Sequence, residues 1–233
     1  RGESPPARTE TRPVADDTEL REAVAEMEAA GEDPLLQARV EGDLIALVLL
    51  AGADHSIVRC YQQRSELSWP LDAGISVRAR VVQTDSRLAE RAAALVSAVG
   101  WTGLAQLQLL EPRNGDPLLI DFNGRFFGSL ALARAAGCDV AGAWARGTLG
   151  GPMPDPGPAR VGTRHQWAWG DLRRATQERT GGIARDLLGV IRYAPGAAHS
   201  VFDPRDPRPA IRYVRVQGGR AGRRRTSRSG AAA

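Results

Sequence analysis

Apolar residues recur along the chain at two spacings, and the switches between them divide it into elements. Asp16 and Glu19 are placed as a helix-start box. Leu20, Val24 and Met27 follow at helical intervals, and Gly31 stops the run. Leu35 to Val40 is a short apolar segment, and Glu41-Gly42-Asp43 is a turn. Leu44–Ala51 and Ile57–Gln63 predict strands joined by the tight connection Gly52–His55. A loop from Trp69-Pro70 to Gly74 leads into Ile75–Gln83, which alternates like a strand. Asp85 is placed to cap a helix over Ser86–Val99, with Leu88, Leu95 and Val99 on one face and Gly100 at its end. A further helix is expected from about Ser129 to Ala136, closed by Gly137. Beyond Gly150 the texture changes to a Pro/Gly-rich linker over 151–160. A Trp-rich segment, an amphipathic helix near Gly182–Arg192 and a Pro-rich stretch from Asp203 to Pro209 come next.

Between the two helices over 86–99 and 129–136, Leu104–Leu110 and Pro117–Asn123 predict two strands around Asn114-Gly115, a strong hairpin signal. With those two residues as the loop, Gln108 falls opposite Asp121 and Gln106 opposite Asn123. Side chains alternate along a strand, so these four share one face, and Leu107, Leu109, Ile120 and Phe122 share the other. Facing partners have Cβ atoms roughly 4.5–5.5 Å apart, which gathers four oxygen-bearing side chains. Hard cations such as Mg²⁺ take oxygen ligands, often one or two carboxylates plus substrate phosphates. A solvated sheet face explains any one of these residues singly. The four together carry more, because Gly124-Arg125 and a Gly128-Ser129 helix start follow at once. A helix start offers amides to an anion and Arg125 a planar donor fork.

Composition narrows the chemistry. All 31 basic residues among the 233 are Arg, with no Lys. A Lys-dependent phosphate loop or a Schiff-base mechanism cannot be complete in this chain. Five Arg and no acid fall in residues 218–233, leaving 26 Arg against 27 acids elsewhere. The basic pI of 9.8 therefore describes a tail. The body carries no charge excess for nucleic acid, which leaves the tail as the candidate contact. No apolar run approaches the roughly 18–20 residues of a membrane span. Two cysteines make no disulfide framework or zinc site, so a reducing cytoplasm is the expected compartment. The start at Arg1 without Met is expected of a fragment.

The ordered motifs carry a resemblance. Gly103-Leu-Ala-Gln-Leu-Gln108, then Leu119-Ile-Asp121-Phe-Asn123-Gly-Arg125-Phe-Phe-Gly-Ser129, then Ala136-Gly137, resemble the C-terminal half of an ATP-grasp domain. Carbamoyl phosphate synthetase large chains share the Gln version of this pattern. Leu35-Leu-Gln-Ala-Arg-Val-Glu-Gly42 is similar to the family's hinge, and Trp69-Pro70 to Ser76 to its Pro…Gly-x-Ser loop. The resemblance covers roughly residues 10–150. It implies an α+β ATP-grasp fold, a mostly antiparallel sheet with flanking helices, truncated at its N-terminus. It implies ATP and Mg²⁺ as cofactors, with Gln108, Asp121 and Asn123 as metal ligands and Arg125 neutralising the transferring phosphoryl group or the substrate carboxylate. Gln37, Ala38, Arg39, Val40 and Glu41 would bind adenine and ribose. The implied reaction activates a small carboxylate as an acylphosphate for attack by an amine or similar nucleophile, with a non-catalytic nucleotide-binding module as the alternative. Asp121 stands where the family usually has Glu, and Gln108 where it often has an acid. The expected organisation is an ATP-grasp portion over 1–150, an extension over 151–217 and a disordered Arg-rich tail over 218–233.

Other residues are assigned to structure. His55, His165 and His199 lack metal-ligand spacing. Trp167 and Trp169 are expected to alternate on a strand as packing, and Cys60 and Cys138 to pack as small residues. Arg64 and Arg78 are as consistent with a nucleotide cleft as with a solvated strand edge.

Overall fold

A computed structural model describes residues 13–71 and 74–216. The tail over 218–233 lies outside the described residues. Two compact units divide the chain, one ending at Gly42 and the other beginning at Asp43.

In the first unit α1 spans Asp17–Ala29. Asp16 Oδ1 accepts from the N–H groups of Thr18 and Glu19, both at 2.9 Å, and the Glu19 carboxylate accepts from Ala15 N–H at 2.9 Å. The predicted box therefore forms and satisfies amides that the first turn cannot. Gly31, at φ 79°, ends the helix. Residues 32–42 have no regular structure, and Leu35 and Leu36 are exposed.

The second unit is built on seven strands: β1 Asp43–Ala51, β2 Ile57–Trp69, β3 Ile75–Val82, β4 Gly103–Glu111, β5 Leu118–Asn123, β6 Arg164–Gln166 and β7 Ala197–His199. Their order is β5-β4-β1-β2-β3-β6-β7, antiparallel throughout except for the parallel pair β6–β7. Among the described residues the helices α2 Ser86–Ala98, α3 Leu130–Ala135, α4 Val140–Thr148, α5 Ala168–Gln177 and α6 Ile183–Tyr193 accompany them, and a further helical run covers 208–216. The fold is thus α+β with a mostly antiparallel sheet. Among the described residues no helix is long and apolar enough to cross a membrane.

Alternation along the strands makes two cores. Ile45, Leu47, Leu49, Ala105, Leu107 and Leu109 face α2, which buries Leu88, Ala92 and Val96. That stripe runs at four-residue intervals. Val99, expected on the same face, is instead the exposed C-cap. Val48, Leu50, Tyr61, Ala79, Val81 and Leu104 face α3 and α4 on the other side. Asp85 caps α2 by accepting from Leu88 N–H at 3.1 Å.

The β4–β5 pairing departs from the two-residue hairpin. Gln106 faces Asn123 and Gln108 faces Asp121, as the alternation predicts. The register then shifts, so that Leu109 faces Leu119 and Leu110 faces Leu118. Asn114 and Gly115 sit in a six-residue connection, 112–117. The reason is Pro112 and Pro117, which a two-residue loop would set face to face. Neither has an N–H to give the ladder. In consequence Ile120 is half exposed and not part of a continuous apolar face.

Trp167 and Trp169 also differ from expectation. β6 stops at Gln166, and Trp167 caps α5, which contains Trp169. The Trp167 ring lies on Gly170, where a Cβ would approach it to 2.2 Å. Only glycine lets the chain turn that tightly under the indole.

Candidate active site

The face of the sheet that packs on α3 and α4 changes character along its strands. On β4, Leu104 belongs to the core, and the next residues of the same parity are Gln106 and Gln108. On β2, Tyr61 gives way to Gln63 and Ser65, and on β1, Val48 gives way to Ala46 and Leu44. Where the helices end, these residues line a cavity of about 350 Å³. Asp121 and Asn123 join from β5, Arg125, Phe127, Gly128 and Ser129 from the segment after it, and His165, Trp167 and Ser200 from the region around β6 and β7.

A chain of hydrogen bonds orders the carboxamides on the floor. Gln63, Gln106, Asn123 and Ser129 are all buried, so their polar atoms need partners. Ser129 Oγ lies 2.9 Å from Gln63 Nε2 and 3.2 Å from Gln63 Oε1, and accepts from Gln106 Nε2 at 3.4 Å. Gln106 Oε1 accepts from Gln108 Nε2 at 3.5 Å, and Asp121 Oδ2 accepts from Asn123 Nδ2 at 2.5 Å. The amide donors of Gln108 and Asn123 are therefore engaged with neighbours. Among the described residues their oxygens, and one oxygen of Asp121, accept nothing. The result is one carboxylate and two carboxamide oxygens available at the floor. That set fits a hard, oxygen-seeking divalent cation completed by water and phosphate. Among the described residues no three His, Cys, Asp or Glu side chains converge to make a softer metal site.

Arg125 is exposed at the rim. It donates to Phe126 O at 3.2 Å and pairs with no acid among the described residues, so its fork is open to an anionic ligand. The helix start after it contributes less than expected. The α3 helix has only six residues, and the Ser129 hydroxyl is engaged with Gln63 and Gln106, making no cap bond.

Gln108, Asp121, Asn123 and Arg125 thus lie on one cavity. Gln37, Ala38, Arg39, Val40 and Glu41 lie in the first unit, in its segment without regular structure, all exposed except the half-buried Val40. Arg64 and Arg78 do not line the cavity. Arg64 pairs with Asp43 at 2.7 Å and with Glu111, while Arg78 pairs with Asp171 at 2.6 Å. Sequence reasoning missed Gln63, Ser65, Ser76, His165, Trp167 and Ser200 as cavity residues. The alternation Tyr61, Gln63, Ser65 on β2 carried a usable signal for two of them. His165 and Ser200 meet only through pairing of distant segments, and nothing local marks them.

His165 is 2% exposed, and its Nε2 sits 3.0 Å from Ser200 Oγ while Nδ1 is buried without a partner. Burial, helped by the neighbouring His199, pushes its pKa down to about 4, so the ring is neutral near pH 7.

Residues 42–170 match a family model described as ATP-grasp in the biosynthetic pathway with Ter operon, which takes in more than half of the chain. No curated protein is detectably similar to the chain. Among solved structures, a biotin carboxylase–β-γ-ATP complex from Campylobacter jejuni is 16% identical over 64% of this chain and 35% of its own, with a TM-score of 0.48. The biotin carboxylase domain of a thermophilic 2-oxoglutarate carboxylase bound to bicarbonate is 14% identical over 64% of this chain and 36% of its own, with a TM-score of 0.47. A complete multifunctional pyruvate carboxylase from Rhizobium etli is 13% identical over 64% of this chain and 15% of its own, with a TM-score of 0.41. The chain matches about a third or less of the length of these structures.

Proposed function

The chain belongs to the ATP-grasp family, and from that premise we propose that its cavity binds Mg-ATP by the phosphates and activates a carboxylate as an acylphosphate for an amine or similar nucleophile. The chain would act as the C-terminal part of the ATP-grasp domain in a longer protein. The observation that carries the reading is the floor. Gln108, Asp121 and Asn123 present oxygens because their own donors, or their partners' donors, are already engaged.

These three would hold Mg²⁺, which when bound draws negative charge off the phosphates and fixes them for in-line transfer. The residues themselves do the orienting. Ser129 holds Gln106, Gln106 holds Gln108, and Asn123 holds Asp121. A floor assembled before the ligand arrives has little left to rearrange. Arg125, with no acid partner among the described residues, takes the role of neutralising charge on the transferring phosphoryl group or the substrate carboxylate. For Gln37, Ala38, Arg39, Val40 and Glu41 the proposed role is adenine recognition, mainly through the backbone, carried by the resemblance of their sequence. The cytoplasm is the proposed compartment.

The test is Mg-ATP binding by the full chain and by Asp121→Asn and Asn123→Ala variants. Loss of a ligand or of its support is expected to weaken binding roughly 10- to 100-fold. Equal binding by all three proteins rejects the site. A second reading, nucleotide binding without turnover, is favoured by the absence of any Lys. It predicts Mg-ATP binding with no phosphate released for any carboxylate–amine pair.

A further inference from the structure

The cavity has two ends of different chemistry. Its charged lining residues, Asp121 and Arg125, both belong to or follow β5. Across β1 and β2 the opposite wall is Ile75, Ser76, His165, Trp167 and Ser200. The polar atoms there are hydroxyls and a neutral imidazole. Ser65 Oγ bonds Ser76 Oγ at 2.9 Å, and Ser200 Oγ bonds His165 Nε2 at 3.0 Å.

Cations stand close by on the same strands, but each is engaged elsewhere. Arg78 pairs with the buried Asp171, and Arg80 pairs with Glu66 at 2.8 Å. Arg164 packs on the Tyr193 ring at 5.0 Å and donates to Pro195 O at 2.7 Å. His199 on β7 neighbours His165, and its Nδ1 is likewise buried without a partner. Among the described residues no charged side chain lines this end of the cavity, and an anion stripped of water without a counter-charge is costly. A neutral imidazole, in contrast, offers a donor nitrogen and an acceptor nitrogen, and His165 spends only one of them on Ser200.

We propose that the His165–Trp167–Ser200 end of the cavity is the acceptor subsite, and that it selects an uncharged hydrogen-bonding group such as an amide, a hydroxyl or a nitrogen heterocycle, excluding a second carboxylate or phosphate. The assignment as acceptor rests on the Mg-ATP reading of the other end; the preference for a neutral group rests on the wall itself. His165 is the specificity-determining residue, held in orientation by Ser200, with the Trp167 indole as a flat apolar side.

The test uses matched small probes: benzamide and nicotinamide against benzoate and nicotinate. Each is titrated into the full chain while the imidazole nitrogens are followed by ¹H–¹⁵N NMR. The amides are expected to shift the His165 signals, and the carboxylates to leave them in place. By isothermal titration calorimetry, which does not need the imidazole, His165→Leu should abolish amide binding, and His165→Gln, which keeps a neutral donor and acceptor, should retain it. Carboxylates that move His165 as strongly as the amides, or amides that do not move it, overturn the proposal. Asp121→Asn separates the two readings, since it should lose Mg-ATP and keep the amide shifts. Amide shifts in a wild-type chain that binds no Mg-ATP would reject the acceptor assignment and keep the neutral-group preference.

Discussion

Asp171 is the best place to perturb the second unit, because its surroundings fix the expected size of the effect. It is fully buried and accepts from three donors: Arg78 Nε at 2.6 Å, Gln166 Nε2 at 2.8 Å and Arg174 Nε at 3.2 Å. Asp171→Ala leaves two guanidinium groups, 12% and 4% exposed, without that carboxylate. Breaking a buried ion pair from one side costs about 3–5 kcal/mol. The low end applies here, because Arg174 keeps Asp186 at 3.5 Å and Arg78 keeps the Tyr193 ring at 4.7 Å. With a urea slope of about 2 kcal/mol per molar, a loss of about 3 kcal/mol lowers the unfolding midpoint by about 1.5 M. The assay is urea unfolding followed by circular dichroism and by tryptophan fluorescence, since Trp167 and Trp169 report from the start of α5. Replacing the whole cluster, Asp171→Leu with Arg78→Met, Arg174→Met and Asp186→Asn, should recover most of the loss, because the penalty lies in the unpaired charges. A midpoint for Asp171→Ala within about 0.3 M of wild type would refute the reasoning.

Acid stability should carry a His165 signature. Its folded pKa of about 4 lies below the ordinary 6.5, so the native state resists protonation. The contribution is intact above 6.5 and is lost as the pH falls toward 4, about 3 kcal/mol that His165→Gln should not lose in pH-dependent unfolding. Burial pushes the Cys60 thiol up to about 12 and the Cys138 thiol up to about 11. Both should therefore stay unreactive to a disulfide reagent at pH 8 until urea unfolds the chain; fast labelling of the native protein would contradict this. At Gly124 a Cβ would lie 2.3 Å from the Trp101 ring, and Gly124→Ala should cost about 1–3 kcal/mol by thermal or urea unfolding, with a neutral result excluding the tight packing.

What was legible in the sequence follows the reach of the interactions involved. The pairing of Gln106 with Asn123 and of Gln108 with Asp121 could be read because period-two alternation and one turn determine it. The register shift beyond Gln108 was also marked, by Pro112 and Pro117, but the Asn-Gly signal outweighed the missing donors. The caps at Asp16 and Asp85 were legible for the same local reason. Trp167 was misplaced because its spacing from Trp169 suggests a strand, whereas its packing on Gly170 turns the chain into α5. The wall of His165 and Ser200 was not legible. These residues are 35 apart, and His165 faces Ala79 on β3, so their meeting depends on a strand order that no local pattern encodes.

The two ends of the cavity are therefore held by different forces. The floor at β4 rests on an unbroken nine-residue ladder with β1, and Gln63 and Gln106 are tied to Ser129. The far wall depends on β6, a strand of only three residues, facing β3 at Arg78, Ala79 and Arg80. Three rungs at one side of a sheet are weak anchorage. Arg78 and Gln166 are facing partners on that ladder, and both reach Asp171 at the start of α5. The buried carboxylate thus fastens the strand that carries His165. It follows that an Asp171→Ala protein, held well below its unfolding midpoint, should bind Mg-ATP like wild type while benzamide and nicotinamide lose their hold on His165. Equal weakening of both would mean that the ends are one cooperative structure; unchanged amide binding would mean that the ladder alone suffices.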